Sequence, residues 1–200
     1  MIETRPATIN DLERASEVLA DAFSDYLWTR WTIDPEDHGE RIRLLQFDAL
    51  RFLGLPLGLV TVTSVDGVIQ SVAVWMSSET GESDSVHAQL MTRRAELEGS
   101  RHPASLAADM ALADLRPLVP HLYLGTVGTS RQFQRQGLGR ATLLPGIESA
   151  DRDGLACYLE TSARSNVSFY ELLRFEIVGH RQIEGGPEVW AMLRPSRSTT

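Results

Sequence analysis

A chain of 200 residues, 42% apolar and 23% charged, has ordinary globular composition and suits one domain with one sizeable core. Its formal net charge is −8. That argues against a nucleic-acid surface, which needs a basic face, and suits a soluble protein that takes a cationic small substrate. All 19 basic residues are arginine, which excludes a lysine Schiff base, a lysine nucleophile and a Walker-type phosphate lysine.

In chain order, residues 2–5 are predicted as a first strand. Asn10 then caps a helix, with Glu13 in capping-box position; Leu12, Ala15, Val18, Leu19 and Ala22 form its apolar stripe. The stretch 26–38 is aromatic-rich and irregular. Helical spacing returns over 38–53. Strands at 57–64 and 68–76 are joined by Asp66-Gly67, a strong hairpin turn. A polar loop, 77–85, leads to two short helices, 85–97 and 103–115, an insertion over about residues 85–116. A strand at 121–129 precedes a glycine-bearing turn and a helix over 138–153, which Pro145-Gly146 should kink. A strand at 155–161, a short helix at 166–174 and an antiparallel pair, 175–184 and 188–194, complete the pattern. Residues 195–200 are expected to fray. Strands and helices alternating around one sheet give a mixed α/β fold in a single domain, 1–200.

The turn Gln134-Arg135-Gln136-Gly137-Leu138-Gly139 carries the most information. A glycine turn that opens a helix presents backbone N–H groups without partners at the positive end of the helix dipole, an anion site suited to a pyrophosphate. Side chains at positions 137 and 139 would hold the oxygens away from the backbone. A dinucleotide fingerprint fits poorly, because Thr142 stands where a small residue is wanted and residues 130–133 separate strand from motif. The bland alternative is a turn that only starts a helix.

Cys157 is the only cysteine, so no intramolecular disulfide forms, and a reducing cytoplasm fits. In its apolar strand it reads as a buried, inert thiol. The five histidines are scattered, and no metal site is expected. Residues 1–21 lack the apolar region of a signal peptide. The most apolar stretch, 52–62, falls short of the ~20 residues that span a bilayer, so no membrane partner is expected.

Q-x-x-G-x-G after a strand ending Leu124-Gly125-Thr126-Val127-Gly128-Thr129 resembles the acetyl-CoA motif of the GNAT superfamily of N-acetyltransferases. Asn166-Val167-Ser168-Phe169-Tyr170 resembles that family's later motif, although Arg174 replaces the glycine that usually precedes the final aromatic, Phe175. Leu144-Pro145-Gly146-Ile147-Glu148, residues 159–166, residues 22–26 and residues 95–101 are similar to the puromycin N-acetyltransferase branch, over nearly the whole chain. The resemblance implies a mostly antiparallel central sheet with splayed middle strands and flanking helices. It also implies acetyl-CoA as cosubstrate and a primary amine of a small molecule, puromycin or a related aminonucleoside or antibiotic, as acceptor. A monomer or a homodimer is expected.

The same resemblance assigns roles. The Val127 N–H would face the thioester carbonyl as an oxyanion donor. Val127, Gly128 and Thr129 would bond the pantetheine arm, joined by the Asn166 amide. Gln134, Arg135, Gln136, Gly137, Leu138, Gly139 and Arg140 would hold the pyrophosphate. Tyr170 matches the tyrosine that donates to the coenzyme sulfur, a role open to a phenol near pKa ~10; the alternative is a core aromatic. Many relatives place a glutamate on the strand before Val127, where this chain has Tyr123. Glu160, at the end of the next strand, is the candidate base, acting through a water; the alternative is a solvated strand end. A missing strand carboxylate favours an α-amino acceptor, which is partly neutral near pH 7.

Acceptor binding is expected around Asp25, Tyr26, Trp28, Trp31 and Asp34, with Tyr123 of the motif strand, where aromatics would stack on a ring and a carboxylate would attract an ammonium. The alternative places the tryptophans in the core. The inserted helices favour an enclosed pocket over an open peptide groove. A protein or peptide acetyltransferase and a non-catalytic acetyl-CoA-binding protein remain as alternatives.

Overall fold

The computed structural model describes residues 1–196. The strands are β1 (Ile2–Pro6), β2 (Gly58–Val65), β3 (Val68–Ser77), β4 (His121–Thr129), β5 (Ala156–Thr161), β6 (Glu176–Gln182) and β7 (Glu188–Arg194). Together they form one sheet, in the order β1-β2-β3-β4-β5-β7-β6. Every pairing is antiparallel except β4–β5, and that ladder is short: His121–Ala156, Leu122–Cys157 and Tyr123–Tyr158. Beyond Tyr123 the two strands continue without pairing, so the middle of the sheet opens. This is the splayed, mostly antiparallel α/β architecture of the GNAT fold.

Eight helices flank the sheet among the described residues: α1 (Leu12–Phe23), α2 (Leu27–Thr32), α3 (His38–Ala49), α4 (Leu55–Leu57), α5 (Asp84–Glu98), α6 (His102–Leu112), α7 (Leu138–Asp153) and α8 (Arg164–Glu171). Alternation along β3 sorts two cores. Val72 and Val74 join Val60, Val62 and the α1 stripe Leu12, Ala15, Val18 and Leu19 on one face. Ala73 and Trp75 face α7, β5 and α8 on the other, with Leu143, Ile147, Leu159 and Tyr170. Each fully buried large apolar side chain of this kind contributes about 1.5–3 kcal/mol. A smaller cluster, Ala108, Leu112, Ile183 and Val189, seats α6 on the β6–β7 end. No helix among the described residues is long and apolar enough to cross a membrane.

Several local expectations hold. Asp66 and Gly67, at φ 49° and 81°, make the hairpin turn. β4, α7 and β7 have the expected bounds. Cys157 is fully buried, and burial pushes its thiol up to about 11.

Others need correction. The capping box closes a 3-10 turn, Ile9–Asp11, just ahead of α1 and is made by Thr8 and Asp11, not by Asn10 and Glu13: the Asp11 carboxylate accepts from the Thr8 N–H at 2.7 Å and takes a two-pronged bond from Arg5 at 2.8 Å. Part of the irregular stretch 26–38 is the helix α2. α7 runs unbroken through Pro145. Gly146 serves packing there, since an added Cβ would lie 2.1 Å from the Trp75 indole nitrogen. Residues 195 and 196 lack regular structure, and the remainder of the expected frayed tail, 197–200, lies outside the described residues.

Candidate active site

The opening between β4 and β5 exposes main-chain groups. Ser130 donates its N–H to the Gln70 carbonyl at 2.8 Å, and the register pairs Ser71 with Thr129, Val72 with Gly128 and Ala73 with Val127. Neighbouring residues of an antiparallel strand turn their polar groups to opposite sides. Thr126 and Gly128 therefore bond β3, while Val127 and Thr129 turn their N–H and C=O toward the gap. The Gln134 amide takes the Thr129 carbonyl at 3.1 Å, which agrees with that parity. Gly128 has a different role from its flanks: an added Cβ would come within 2.9 Å of Ala22 and Leu19, so this glycine lets α1 lie close on the strand. A bulge between Val74 and Trp75 leaves Gly125 without a partner on β3, and Gly125 is exposed at the gap.

The turn after β4 is held open by backbone conformation. Arg135 (φ 61°) and Gly137 (φ 85°) are left-handed, and Gly137 caps α7. An added Cβ at Gly137 meets no protein atom within 4 Å, so within the protein its requirement is the positive φ. At Gly139 the added Cβ would stand 3.4 Å from the Thr129 hydroxyl, an ordinary van der Waals contact. Among the described residues, the N–H groups of Arg135, Gln136 and Gly137 have no backbone acceptor. They lie at the solvent-exposed N-terminus of a 16-residue helix, with the exposed Arg135 and Arg140 beside them. Leu138 points its side chain into the core. Gln136 ties its amide to the Gln132 carbonyl at 3.1 Å, so both glutamines brace the turn.

α8 forms the far side of the gap. Tyr170 is 6% exposed and packs edge-on against Phe169 and Phe175. Burial, with a smaller contribution from Tyr26, holds its phenol above the ordinary tyrosine value and so keeps it protonated. Its hydroxyl has no partner among the described residues, yet it is not among the solvent-inaccessible unpaired atoms; it opens into a cavity. Asn166 reaches the Thr161 hydroxyl at 3.4 Å and lines the same cavity.

That cavity, of about 290 Å³, runs from Gly125, Thr126 and Val127 past Tyr170 to the inserted helices. Tyr123 and Glu160 line it. Burial, and then the Glu160 charge, raise the Tyr123 phenol above its usual value. Glu160 accepts from the Tyr158 hydroxyl at 3.0 Å and from Arg116 Nε at 3.4 Å.

On the acceptor side only part of the expected set converges. Tyr26 and Trp28 line the cavity. Tyr26 is also a clamp: its hydroxyl accepts the Ser162 N–H at 2.8 Å and shares a bond with Thr161 at 3.0 Å. Asp25 lies outside, exposed and paired with Arg30 and Arg131. Trp31 packs against Trp28, with ring centroids 5.9 Å apart, and covers Gly186 within the small α6 core. Asp34 accepts from the Ser100 N–H at 3.0 Å, holding the α5–α6 corner. Position in the loop had suggested the pocket, but these three side chains are spent on structure.

The charges that do reach the cavity come from further away: Arg94, Asp109 and Arg116, with Gln46 of α3. Arg94 binds Asp109 at 2.6 Å and Glu98 at 2.7 Å. No contiguous motif marks them. The only sequence signal was the expectation that the insertion encloses the pocket.

No protein-family model matches the chain. Solved structures do. A Corynebacterium glutamicum protein described as a histone acetyltransferase and related acetyltransferase is 26% identical, with a TM-score of 0.77 over all of this chain and 98% of that one. Arylalkylamine N-acetyltransferase 2 of Aedes aegypti is 11% identical, with a TM-score of 0.67 over 98% of this chain and 99% of that one. A polyamine N-acetyltransferase of Drosophila melanogaster is 14% identical, with a TM-score of 0.63 over 98% of this chain and all of that one.

Proposed function

We propose that this chain, a GNAT-superfamily acetyltransferase, transfers the acetyl group of acetyl-CoA to a primary amine of a small molecule, with puromycin or a related aminonucleoside as the acceptor to test first. One observation carries the reading: the half of β4 that does not pair with β5 and the Tyr170 hydroxyl, without a partner among the described residues, meet in a cavity that also holds the Glu160 carboxylate.

The residues fit the cosubstrate. The Arg135, Gln136 and Gly137 N–H groups, without a backbone acceptor among the described residues, together with the N-terminus of α7, Arg135 and Arg140, suit a pyrophosphate. The outward polar groups of Val127 and Thr129, and the Asn166 amide, suit the amides of a pantetheine arm in the manner of an added strand. Acetyl-CoA supplies an acetyl group activated as a thioester. The Val127 N–H stabilises the charge that grows on the carbonyl oxygen during attack. Glu160 takes a proton from the acceptor's ammonium, so that the nitrogen lone pair is free to form the C–N bond. Tyr170 delivers its proton to the sulfur as the C–S bond breaks. Solvent takes the second proton that the nitrogen sheds once the C–N bond has formed, reloads the Tyr170 phenol and discharges Glu160.

The walls supplied by α5 and α6 favour a small acceptor over a peptide laid in an open groove. The test is thiol release from acetyl-CoA across puromycin, amino acids, polyamines, aminoglycosides and peptides. Turnover of a small amine supports the reading. Turnover of peptides alone overturns the small-molecule assignment, and no turnover with any amine overturns the catalytic one.

A further inference from the structure

The bonds around Glu160 have a direction. Tyr158 and Glu160 are two apart on β5, so their side chains share one face of the sheet. Tyr158 is fully buried, and its hydroxyl donates to Glu160 Oε1 at 3.0 Å. Arg116, from the segment that follows the inserted α6, approaches the same Oε1 at 3.4 Å. That distance is long for a hydrogen bond, so Arg116 acts mainly through its charge. Oε2 has no partner among the described residues and is not among the solvent-inaccessible unpaired atoms. The terminal torsion of a glutamate is soft and roughly two-fold. Two donors on one oxygen select one orientation and leave the other oxygen open to the cavity.

We propose that Tyr158 and Arg116 are positioning residues that hold Oε1 and present Oε2 to the acceptor. The ammonium N–H bond breaks with its electron pair staying on nitrogen, and the proton passes to Oε2. The catalytic role of this arrangement rests on the acetyl-transfer reading; the arrangement itself does not. It places the strand-end carboxylate under the control of the insertion, because Arg116 comes from there.

The neighbours of Glu160 bear on the test. Besides Arg116 and Tyr158, the cluster includes Tyr123 of β4, its ring centroid 6.0 Å from that of Tyr158, and His121, edge-on to Tyr158 at 5.6 Å. Asp109 of α6 is paired with Arg94 at 2.6 Å, and that arginine also binds Glu98. Tyr26 lines the same cavity. The two contacts to Oε1 therefore set the orientation of the carboxylate, and removing either frees it to turn.

The experiment is carbon-13 NMR of the full chain labelled at glutamate carboxyls, with Glu160→Gln assigning the signal. Arg116→Gln and Tyr158→Phe should each shift the Glu160 carboxyl signal, because the carboxylate is then free to turn. Arg116→Lys should return most of the shift, since the charge remains. In parallel kcat should fall by roughly tenfold, with KM for acetyl-CoA unchanged. A carboxyl signal that neither substitution moves, with kcat unaltered, overturns the proposal. A wild type that turns over no amine overturns the acetyl-transfer reading and leaves the NMR result to decide the positioning. Should Tyr158→Phe fail to fold, Arg116→Gln decides alone, since the Arg116 side chain is 49% exposed.

Discussion

The two walls of the cleft are built from different material. The wall of β4, the 134–139 turn and α7 works through main-chain N–H groups, placed by strand register and by one left-handed glycine. The opposite wall, from α2, α5, α6 and Arg116, works through side chains locked in ion pairs and aromatic contacts. A backbone wall tolerates changes of side chain and suits the invariant part of a reaction. A side-chain wall changes with each substitution and suits the part that varies, which in the proposed reaction is the acceptor. The comparison predicts that damage to the first wall affects every acceptor equally, whereas damage to the second is felt acceptor by acceptor.

The largest effect should come where the two walls meet. Tyr170→Phe removes only a hydroxyl, and general acid catalysis is worth about 10²–10⁴-fold, so kcat should fall by at least about 100-fold for all amines. Affinity for acetyl-CoA, measured by calorimetry, should stay within about twofold. A loss of only about twofold in kcat would return Tyr170 to a packing role. The pH profile supplies a second readout. Burial raises the phenol above its ordinary value, so the donor stays loaded as pH rises, and kcat should show no alkaline decline below about pH 10. Folding follows the same sign. The Tyr123, Tyr158 and Tyr170 phenols are all raised in the folded state. Their contribution to stability is therefore complete below the unfolded value near ~10 and is lost as pH climbs toward the folded values.

Next in size, Gly137→Val tests the backbone wall without touching a functional side chain. A β-branched residue at φ 85° is a strong outlier and costs about 1–3 kcal/mol. If the turn rearranges to escape that strain, the acetyl-CoA Kd should rise roughly tenfold or more, with acceptor selectivity unchanged. An unchanged Kd in a folded variant would mean that the turn only starts a helix.

The backbone wall was the part legible in the sequence, for a physical reason. Glycines at 137 and 139, a strand of full length and a helix start lie within 20 consecutive residues, and each leaves a local mark. The hairpin at Asp66-Gly67 was legible for the same reason. The capping box was misplaced because Thr8/Asp11 and Asn10/Glu13 both fit its spacing; Arg5, clamped on Asp11, decides between them and lies outside the pattern. Gly128 and Gly146 were given to the cofactor motif and to a kink, whereas each makes room for a packed neighbour, which only tertiary structure reveals. The charges of the side-chain wall come from Arg94, Asp109, Arg116 and Glu160, up to 66 positions apart by numbering, so no local window contains them.

Trp28 and Trp31 sharpen the comparison within a single helix turn. Trp31 covers Gly186 in the α6 core, so Trp31→Ala should lower stability by about 2–3 kcal/mol, less than the full cost of a buried tryptophan, or roughly 5–10 °C in Tm. Trp28 lines the cavity, so Trp28→Ala should raise the acceptor KM severalfold with a smaller change in Tm. Reversal of the two patterns would exchange their roles.

The smallest expected effect carries the most information about where the acceptor sits. Asp25 is in the same short stretch as Tyr26 and Trp28, and proximity in sequence makes it the natural anchor for a cationic acceptor. The structure turns it outward. Its side chain is 65% exposed and is already shared between Arg30 at 2.7 Å and Arg131. Hydrogen bonds from those two arginines, Arg30 first, hold its carboxyl below the usual aspartate value. A carboxylate with two guanidinium partners in open solvent has little field left to steer an ammonium. Asp25→Asn should therefore change the acceptor KM by less than about twofold, whichever amine proves to be the substrate, and leave kcat unaltered. Asp109→Asn, inside the cavity where one guanidinium, Arg94, serves both Asp109 and Glu98, should raise KM several times more for a cationic acceptor. If the ranking of the two variants is opposite, the side-chain wall has been drawn on the wrong side of Tyr26.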